Sequence, residues 1–411
     1  MQTDCIILGG GASGLAACAA LADTGLRIAV VERLDRVGKK LMAAGNGRCN
    51  ISNRQMNASL YGSAAPFVSH VYETTTSDEV LSFFSSLGLM TAQEDGRIYP
   101  RTMMASSVLD VLRAACDREN VTILTQQQAV SVTPSRRGGF CVQLESGEGL
   151  FAPVVLCCMG GSAAPHLGTD GTGTNLMEQL GHSITPLYPA LTQLKCDHSA
   201  LRGLKGIRLQ TALTLLIDGK PAAQETGELL FADYGVSGVC VFQLSGLAAE
   251  AIARKRRVML HVNLLPEIPE SELSDWLRAR IASLHGASAL SLFTGVFPRL
   301  VAQAVLKEAG ISADAQADRL SAKSIEALCA AISAFSLPVT GTQGFKNAQV
   351  TRGGVALVEV DPQTMASCIF NGLYLCGEVL DVDGPCGGYN LHFAFASGLT
   401  AAKAILKRSG V

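Results

Sequence analysis

Charge and aromatic residues are both scarce in this sequence. Of its 411 residues, 17% are Asp, Glu, Lys or Arg, 5% are aromatic, and one is tryptophan. With 48% hydrophobic residues, that composition excludes a disordered chain and predicts a packed protein of two or three domains. The formal net charge is −2, so nothing attracts a polyanion and nucleic acid is not an expected partner. No Cys-x-x-Cys occurs, and no Cys/His spacing suits zinc or an iron–sulfur cluster, so no metal is expected. Many of the 13 cysteines sit in apolar runs (Cys5, Cys18, Cys157, Cys158, Cys376) and read as small buried hydrophobes in a reducing cytoplasm. Residues 5–22 are apolar, but consecutive glycines, Ser13 and the lack of a basic leader argue against a signal peptide or spanning helix. A cytoplasmic protein without a membrane partner is the expectation, as a monomer or a homo-oligomer.

Glycine, by contrast, is abundant at 42 residues, and its placement carries information. The apolar run Cys5-Ile6-Ile7-Leu8 leads into Gly9-Gly10-Gly11-Ala12-Ser13-Gly14, and a second run, Ile28-Ala29-Val30-Val31, ends at Glu32. This predicts strand, Gly-x-Gly-x-x-Gly turn, helix, strand and acidic terminus, the arrangement that holds a dinucleotide. Gly9 permits the tight turn, Gly11 lets the backbone approach a pyrophosphate, and Gly14 lets helix and strand pack closely. The helix opening at Ala12 and Ser13 points free N–H groups at phosphate. Glu32 follows Gly14 by 18 residues and is placed to accept ribose hydroxyls. The competing reading is a structural turn in some other α/β protein.

Beyond Glu32, the stretch Gly45-Asn46-Gly47-Arg48-Cys49-Asn50 has turn formers, amides and a guanidinium but almost no apolar periodicity. Such a loop needs an external reason for order. Lys39, Lys40 and Arg48 are candidates to balance a pyrophosphate, and Asn46 and Asn50 to bond a ribityl chain or ring, with Arg33, Gly47 and Cys49 as further cofactor candidates. Thr76 and Glu79 predict a capping box, and residues 103–116 a helix. Strands are expected at 121–124, 129–132, 140–144 and 154–158, with a hairpin turn at Arg136-Arg137-Gly138-Gly139. Ala129 and Val130 in this meander, and Gly160 and Gly161 after the return strand, complete the nearer cofactor candidates. Residues 191–265 read as strands of a mixed sheet over the cofactor. Residues 271–335 change to Ala-rich helical periodicity, a helical insert that acts as a lid or merely packs.

Leu373-Tyr374-Leu375-Cys376 then forms an apolar strand ending at Gly377-Glu378, with Asp381 nearby, and Gly388-Tyr389-Asn390-Leu391 opens an Ala-rich helix. A carboxylate at a strand end suits ribityl hydroxyls, and a helix N-terminus suits negative charge on a reduced flavin ring. The pairing of two strand–glycine–helix units favours FAD over NAD. The expected boundaries are a cofactor domain at 1–190 plus 340–411, a β-rich substrate domain at 191–270 plus about 336–350, and the helical insert at 271–335.

With those segments quoted, the chain resembles bacterial flavoproteins of the YhiN/BaiN type, often labelled NAD(P)/FAD-dependent oxidoreductases or aminoacetone-oxidase-family FAD-binding enzymes. The resemblance covers essentially the whole chain. It implies an α/β, Rossmann-like FAD-binding domain of the two-dinucleotide-binding-domain flavoprotein type, with inserted β-rich and helical domains. It also implies oxidoreductase activity, and some relatives are associated with reducing steroid-like enones. No second complete Gly-x-Gly-x-x-Gly unit occurs, so NAD(P)H is expected as a transient donor at most. The expected chemistry is hydride exchange between flavin and a small organic substrate, with reduction of an activated alkene as one form. Tyr99, Tyr389 and His392 are proton-donor candidates, and Arg48 or Arg101 would polarise a carbonyl. A flavin-dependent amine oxidase and an FAD-containing binding protein without turnover are the alternatives. Cys49 and Cys386 lie in the two cofactor-proximal loops, where a redox pair competes with ordinary buried thiols.

Overall fold

The computed structural model describes residues 3–136, 138–197 and 201–410. Two compact units result, one from residues 1–188 with 349–411 and the other from residues 189–348. The first is built on five parallel strands in the order Leu373–Leu375, Val154–Cys157, Cys5–Leu8, Ile28–Val31 and Val121–Leu124. The four strands on the Leu373–Leu375 side of this order are buried along their whole length, which explains their continuous apolar runs. Thus both ends of the chain contribute to one sheet: Leu156 pairs with Ile7 on one side and Tyr374 on the other.

A three-stranded antiparallel meander follows, with Ala129–Pro134 and Phe140–Leu144 where the sequence predicts strands and a third strand, Gly149–Ala152, beyond those expected. Its first turn includes Arg137, which lies outside the described residues. The capping box forms at Ser77–Ser86: Thr76 Oγ1 accepts from Glu79 N–H, and Glu79 accepts from Thr76 N–H. A short sheet joins Ser52–Asn53, Arg97–Pro100 and Thr91–Glu94, with Asp95 and Gly96 at positive φ closing the hairpin.

The second unit corrects one expectation. Its strands do not make a mixed sheet: Leu194–Cys196, Gly235–Ser237, Lys220–Ala232, Arg208–Ile217, Val258–Asn263 and Phe335–Thr342 close an antiparallel six-stranded barrel. Closure removes sheet edges, and it depends on Phe335–Thr342 returning after the helical block to pair with both Val258–Asn263 and Leu194–Cys196. The helices Glu270–Ser283, Arg299–Glu308 and Ala322–Ser333 share one hydrophobic cluster with the barrel strands, through Leu273, Leu277, Val305 and Leu328.

Glycine sets the closest approaches in the first unit. A Cβ on Gly14 would lie 2.0 Å from the Gly9 carbonyl oxygen, and one on Gly398 would lie 2.4 Å from that of Ser13. A Cβ on Gly11 meets no atom within 4 Å. Gly14→Ala should therefore cost about 1–3 kcal/mol through forced backbone displacement, while Gly11→Ala should change stability by less than about 0.5 kcal/mol. Urea unfolding midpoints of the two variants check this contrast.

Candidate functional site

The parallel strands Cys5–Leu8 and Ile28–Val31 end side by side, so the glycine turn and Glu32 meet. Glu32 is 9% exposed and ties the glycine turn to the end of its own strand: one carboxylate oxygen accepts Gly10 N–H at 3.0 Å, the other Leu34 N–H at 2.9 Å. Burial pushes its pKa up, opposed by these two backbone hydrogen bonds. Gly9 holds φ +100° with its α-carbon packed against the Cys158 carbonyl. The helix Ala12–Leu21 starts at Gly11 with no side-chain cap, leaving its first turn directed at the open side of Gly11.

The C-terminal helix Tyr389–Ser409 also begins at an uncapped glycine, Gly388. A Cβ there would lie 2.5 Å from the Ser52 carbonyl oxygen and 2.7 Å from Asn50 Oδ1. Ser13, Gly377 and Gly398 draw this helix against the first one: Gly377's Cβ position is 2.8 Å from Ser13 Oγ. Gly377 N–H donates to Ser397 Oγ at 3.0 Å. Sequence candidates from both chain ends are thus in one neighbourhood.

Several candidates have partners that the sequence did not reveal. Lys40 donates to Glu378 at 2.6 Å and to the Ala163 carbonyl at 3.2 Å, while the other Glu378 oxygen accepts Thr351 N–H at 2.7 Å. Lys39 pairs with Asp35 at 2.6 Å, and Arg33 pairs with Asp170. Asn390 spends its amide on the preceding turn, accepting Gly384 N–H and donating to Gly384 O, both at 2.8 Å. Gly161 packs on Thr351, whose Oγ1 accepts Ser162 and Ala163 N–H at 2.8 and 3.0 Å. Gly160 packs on Thr169. Ala129 is buried and Val130 exposed; Asp381 and Leu391 are half-buried, and Asn46 is exposed at positive φ.

Arg48 pairs with Glu94, lies 4.3 Å above the Tyr99 ring and reaches Met103 Sδ at 3.3 Å. Arg101 is exposed and donates its backbone N–H to Met90 O. Tyr389 is buried, its hydroxyl 3.4 Å from the Gln55 carbonyl, and burial pushes its pKa up. His392 is fully buried with both ring nitrogens unpaired, edge-on to Tyr72 at 5.2 Å; burial pushes its pKa down to about 4. It is therefore a neutral imidazole at pH 7 and has no imidazolium proton to give. The Cys49 thiol is buried and pushed up to about 12, so it does not supply a thiolate.

The donor set fits a flavin dinucleotide. The open side of Gly11 and the two uncapped helix starts suit anionic groups. Buried Asn50 Oδ1 and Gln127 Oε1 have no hydrogen-bond partner. Asn50 abuts Gly388, and Gln127 N–H donates to the Glu32 carbonyl at 3.0 Å, so the two unpaired acceptors mark both strand–glycine–helix units. Gln127 escaped sequence reading because it stands in a run of three glutamines with no motif around it.

A second constellation has triad-like spacing. Ser367 Oγ is 3.0 Å from His182 Nε2, and His182 Nδ1 is 3.0 Å from Glu359. Ser367 is buried, however, and its oxygen already accepts Ile369 and Phe370 N–H at 3.1 and 3.0 Å. Those bonds withdraw the lone pairs a nucleophile needs, so this is a clamp on the loop before strand Leu373–Leu375.

Comparison with known proteins matches residues 3–404 to the HI0933-like protein Rossmann domain family. A 3-dehydro-bile acid delta(4,6)-reductase from Clostridium scindens is 36% identical over 405 residues, covering 98% of each chain. A ribosomal RNA dihydrouridine synthase from Escherichia coli is 26% identical, again over 98% of each chain. Among solved structures, the E. coli quinol fumarate reductase subunit FrdA aligns with a TM-score of 0.52 at 13% identity, covering 100% of this chain and 71% of that one, which is a likeness of fold.

The buried His392 makes a pH prediction. Its folded pKa, about 4, lies below its ordinary 6.5, so the unfolded state binds a proton that the folded state refuses. Stability should fall as pH drops from about 6.5 toward 4, by about 3 kcal/mol from this group. Denaturant titrations at pH 7 and 4.5 should show a smaller pH loss for His392→Gln than for the parent protein.

Proposed function

We propose, for a chain that belongs to the HI0933-like Rossmann family and is an FAD-dependent oxidoreductase, that it reduces the carbon–carbon double bond of a conjugated carbonyl compound with electrons from NAD(P)H. The observation that carries this reading is the neutrality of the ring-end residues. His392 is held neutral by burial, and Tyr61, Tyr72 and Tyr389, neutral phenols at pH 7 in any case, are pushed further from ionisation by burial. Two of the candidate-loop carboxylates are occupied, Glu378 by Lys40 and Thr351 and Glu94 by Arg48. That environment suits an uncharged enone better than the ammonium substrate of an amine oxidase.

FAD, when bound, supplies the reversible two-electron carrier. In this reading the Ala12–Leu21 helix start and Gly11 receive its pyrophosphate, Glu32 and Gln127 its adenosine end, and Asn50 with the Tyr389–Ser409 helix start its ring end. Tyr389 keeps its phenolic proton and donates it to the substrate carbon beside the carbonyl. Arg48, fixed between Glu94 and Tyr99, orients the carbonyl. NAD(P)H docks transiently, since one glycine fingerprint serves the resident dinucleotide. The cysteine-rich core supports a reducing, cytoplasmic setting, and no helix among the described residues is long and apolar enough to cross a membrane.

The two relatives' names share one chemistry, because the uridine 5,6-double bond is also conjugated to a carbonyl. The low charge of this chain favours the small molecule over RNA. Anaerobic photoreduction followed by mixing with steroidal enones, amines or unmodified ribosomal RNA tests the proposal. Enones should reoxidise the bound flavin, and Tyr389→Phe should slow that step by about a hundredfold or more while leaving reduction by NAD(P)H unaffected. Reoxidation by RNA alone would replace the substrate class, and none by any alkene would defeat the reading. Gly11→Ala should lose FAD from a folded protein, seen as a colourless preparation whose unfolding midpoint matches that of the FAD-free parent.

A further inference from the structure

Tyr61 belongs to no motif, yet it stands under the start of the C-terminal helix. It is 3% exposed, and its hydroxyl lies 2.8 Å from the Tyr389 carbonyl oxygen and 2.6 Å from the Tyr72 hydroxyl. A carbonyl only accepts, so Tyr61 must spend its single proton there. The short contact to Tyr72 then requires Tyr72 to donate to Tyr61. Directionality is thereby fixed: Tyr72 to Tyr61 to the Tyr389 peptide. Burial pushes both phenols' pKa values up, which keeps both protons in place.

Packing holds this chain rigid. The Tyr61 ring meets Tyr389 edge-on at 6.3 Å and Phe393 at 6.2 Å. A Cβ on Gly384 would lie 2.7 Å from the ring, so that position accepts only glycine. Gly62, at φ +55° and ψ −124°, turns the chain immediately after Tyr61.

From this geometry we propose that Tyr61 is a positioning residue that tunes the flavin. Its hydrogen bond polarises the peptide between Tyr389 and Asn390, making the Asn390 N–H more positive in the uncapped first helical turn. That turn faces the ring end in the reading above, on which this proposal rests. A more positive N–H favours the reduced, more negative flavin. Tyr72 acts one step further back by polarising Tyr61.

The test is the midpoint potential of the FAD-loaded protein, by dye-equilibrated titration. Tyr61→Phe keeps the ring and removes the bond; it should weaken the reduced state about tenfold, a fall of about 30 mV for a two-electron couple. Tyr72→Phe should shift the potential in the same direction by less. Its residue is only half-buried, so it decides the matter should Tyr61→Phe fail to fold. Equal potentials in a folded, FAD-loaded variant and the parent would overturn the proposal. A parent protein that takes up no FAD would instead defeat the underlying reading.

Discussion

Two helices approach each other closely enough for backbone to touch backbone, and the candidate site follows from that approach. Gly398 sits on the Ser13 carbonyl, Gly377 on the Ser13 hydroxyl, and Gly14 on the Gly9 carbonyl. A side chain at Gly398 or Gly377 would push the Tyr389–Ser409 helix and the turn before it away from the Ala12–Leu21 helix, and one at Gly14 would lift that helix off the strand it follows. Because Cys5–Leu8, Val154–Cys157 and Leu373–Leu375 are adjacent parallel strands, their ends bring the helix starts to one side of the sheet. In open parallel sheets, ligands bind outside the carboxyl ends of the strands. Neither helix carries a side-chain cap, so the fold leaves two sets of helix-start N–H groups for an outside acceptor.

Around those two starts the protein uses its few charges on itself. Lys40–Glu378 ties the segment after Gly38 to the turn after Leu375, and Arg48–Glu94 fixes the loop that leads to Asn50. In the proposed reading, the groups toward the ring end are protonated phenols, a neutral imidazole and amides. In that reading, hydrogen-bond donation and proton transfer are available from neutral groups, which suits reduction of a neutral conjugated carbonyl.

Much of the parallel sheet was legible because its information is local. Fully buried parallel strands read as short apolar runs, and Gly9, Gly11 and Gly14 have separate physical duties at fixed spacing. The capping box at Thr76 and Glu79 is local for the same reason. Long-range partners were not legible. Nothing in the sequence says that Lys40 reaches Glu378, 338 residues away, or that Asn390 folds back on Gly384. Barrel closure is non-local too, resting on the pairing of Phe335–Thr342, which follows the helical block, with two strands that precede it. Tyr61 was missed because its partner carbonyl lies 328 residues away.

The account rests on a ligand that spans both glycine–helix units, so the most direct measurement compares FAD with its own half. Titrating the apoprotein by flavin fluorescence should show FAD binding at least a hundredfold more tightly than FMN, because FMN lacks the adenosine end assigned to Glu32 and Gln127. Equal affinities would contradict the assignment of the N-terminal glycine turn to the cofactor.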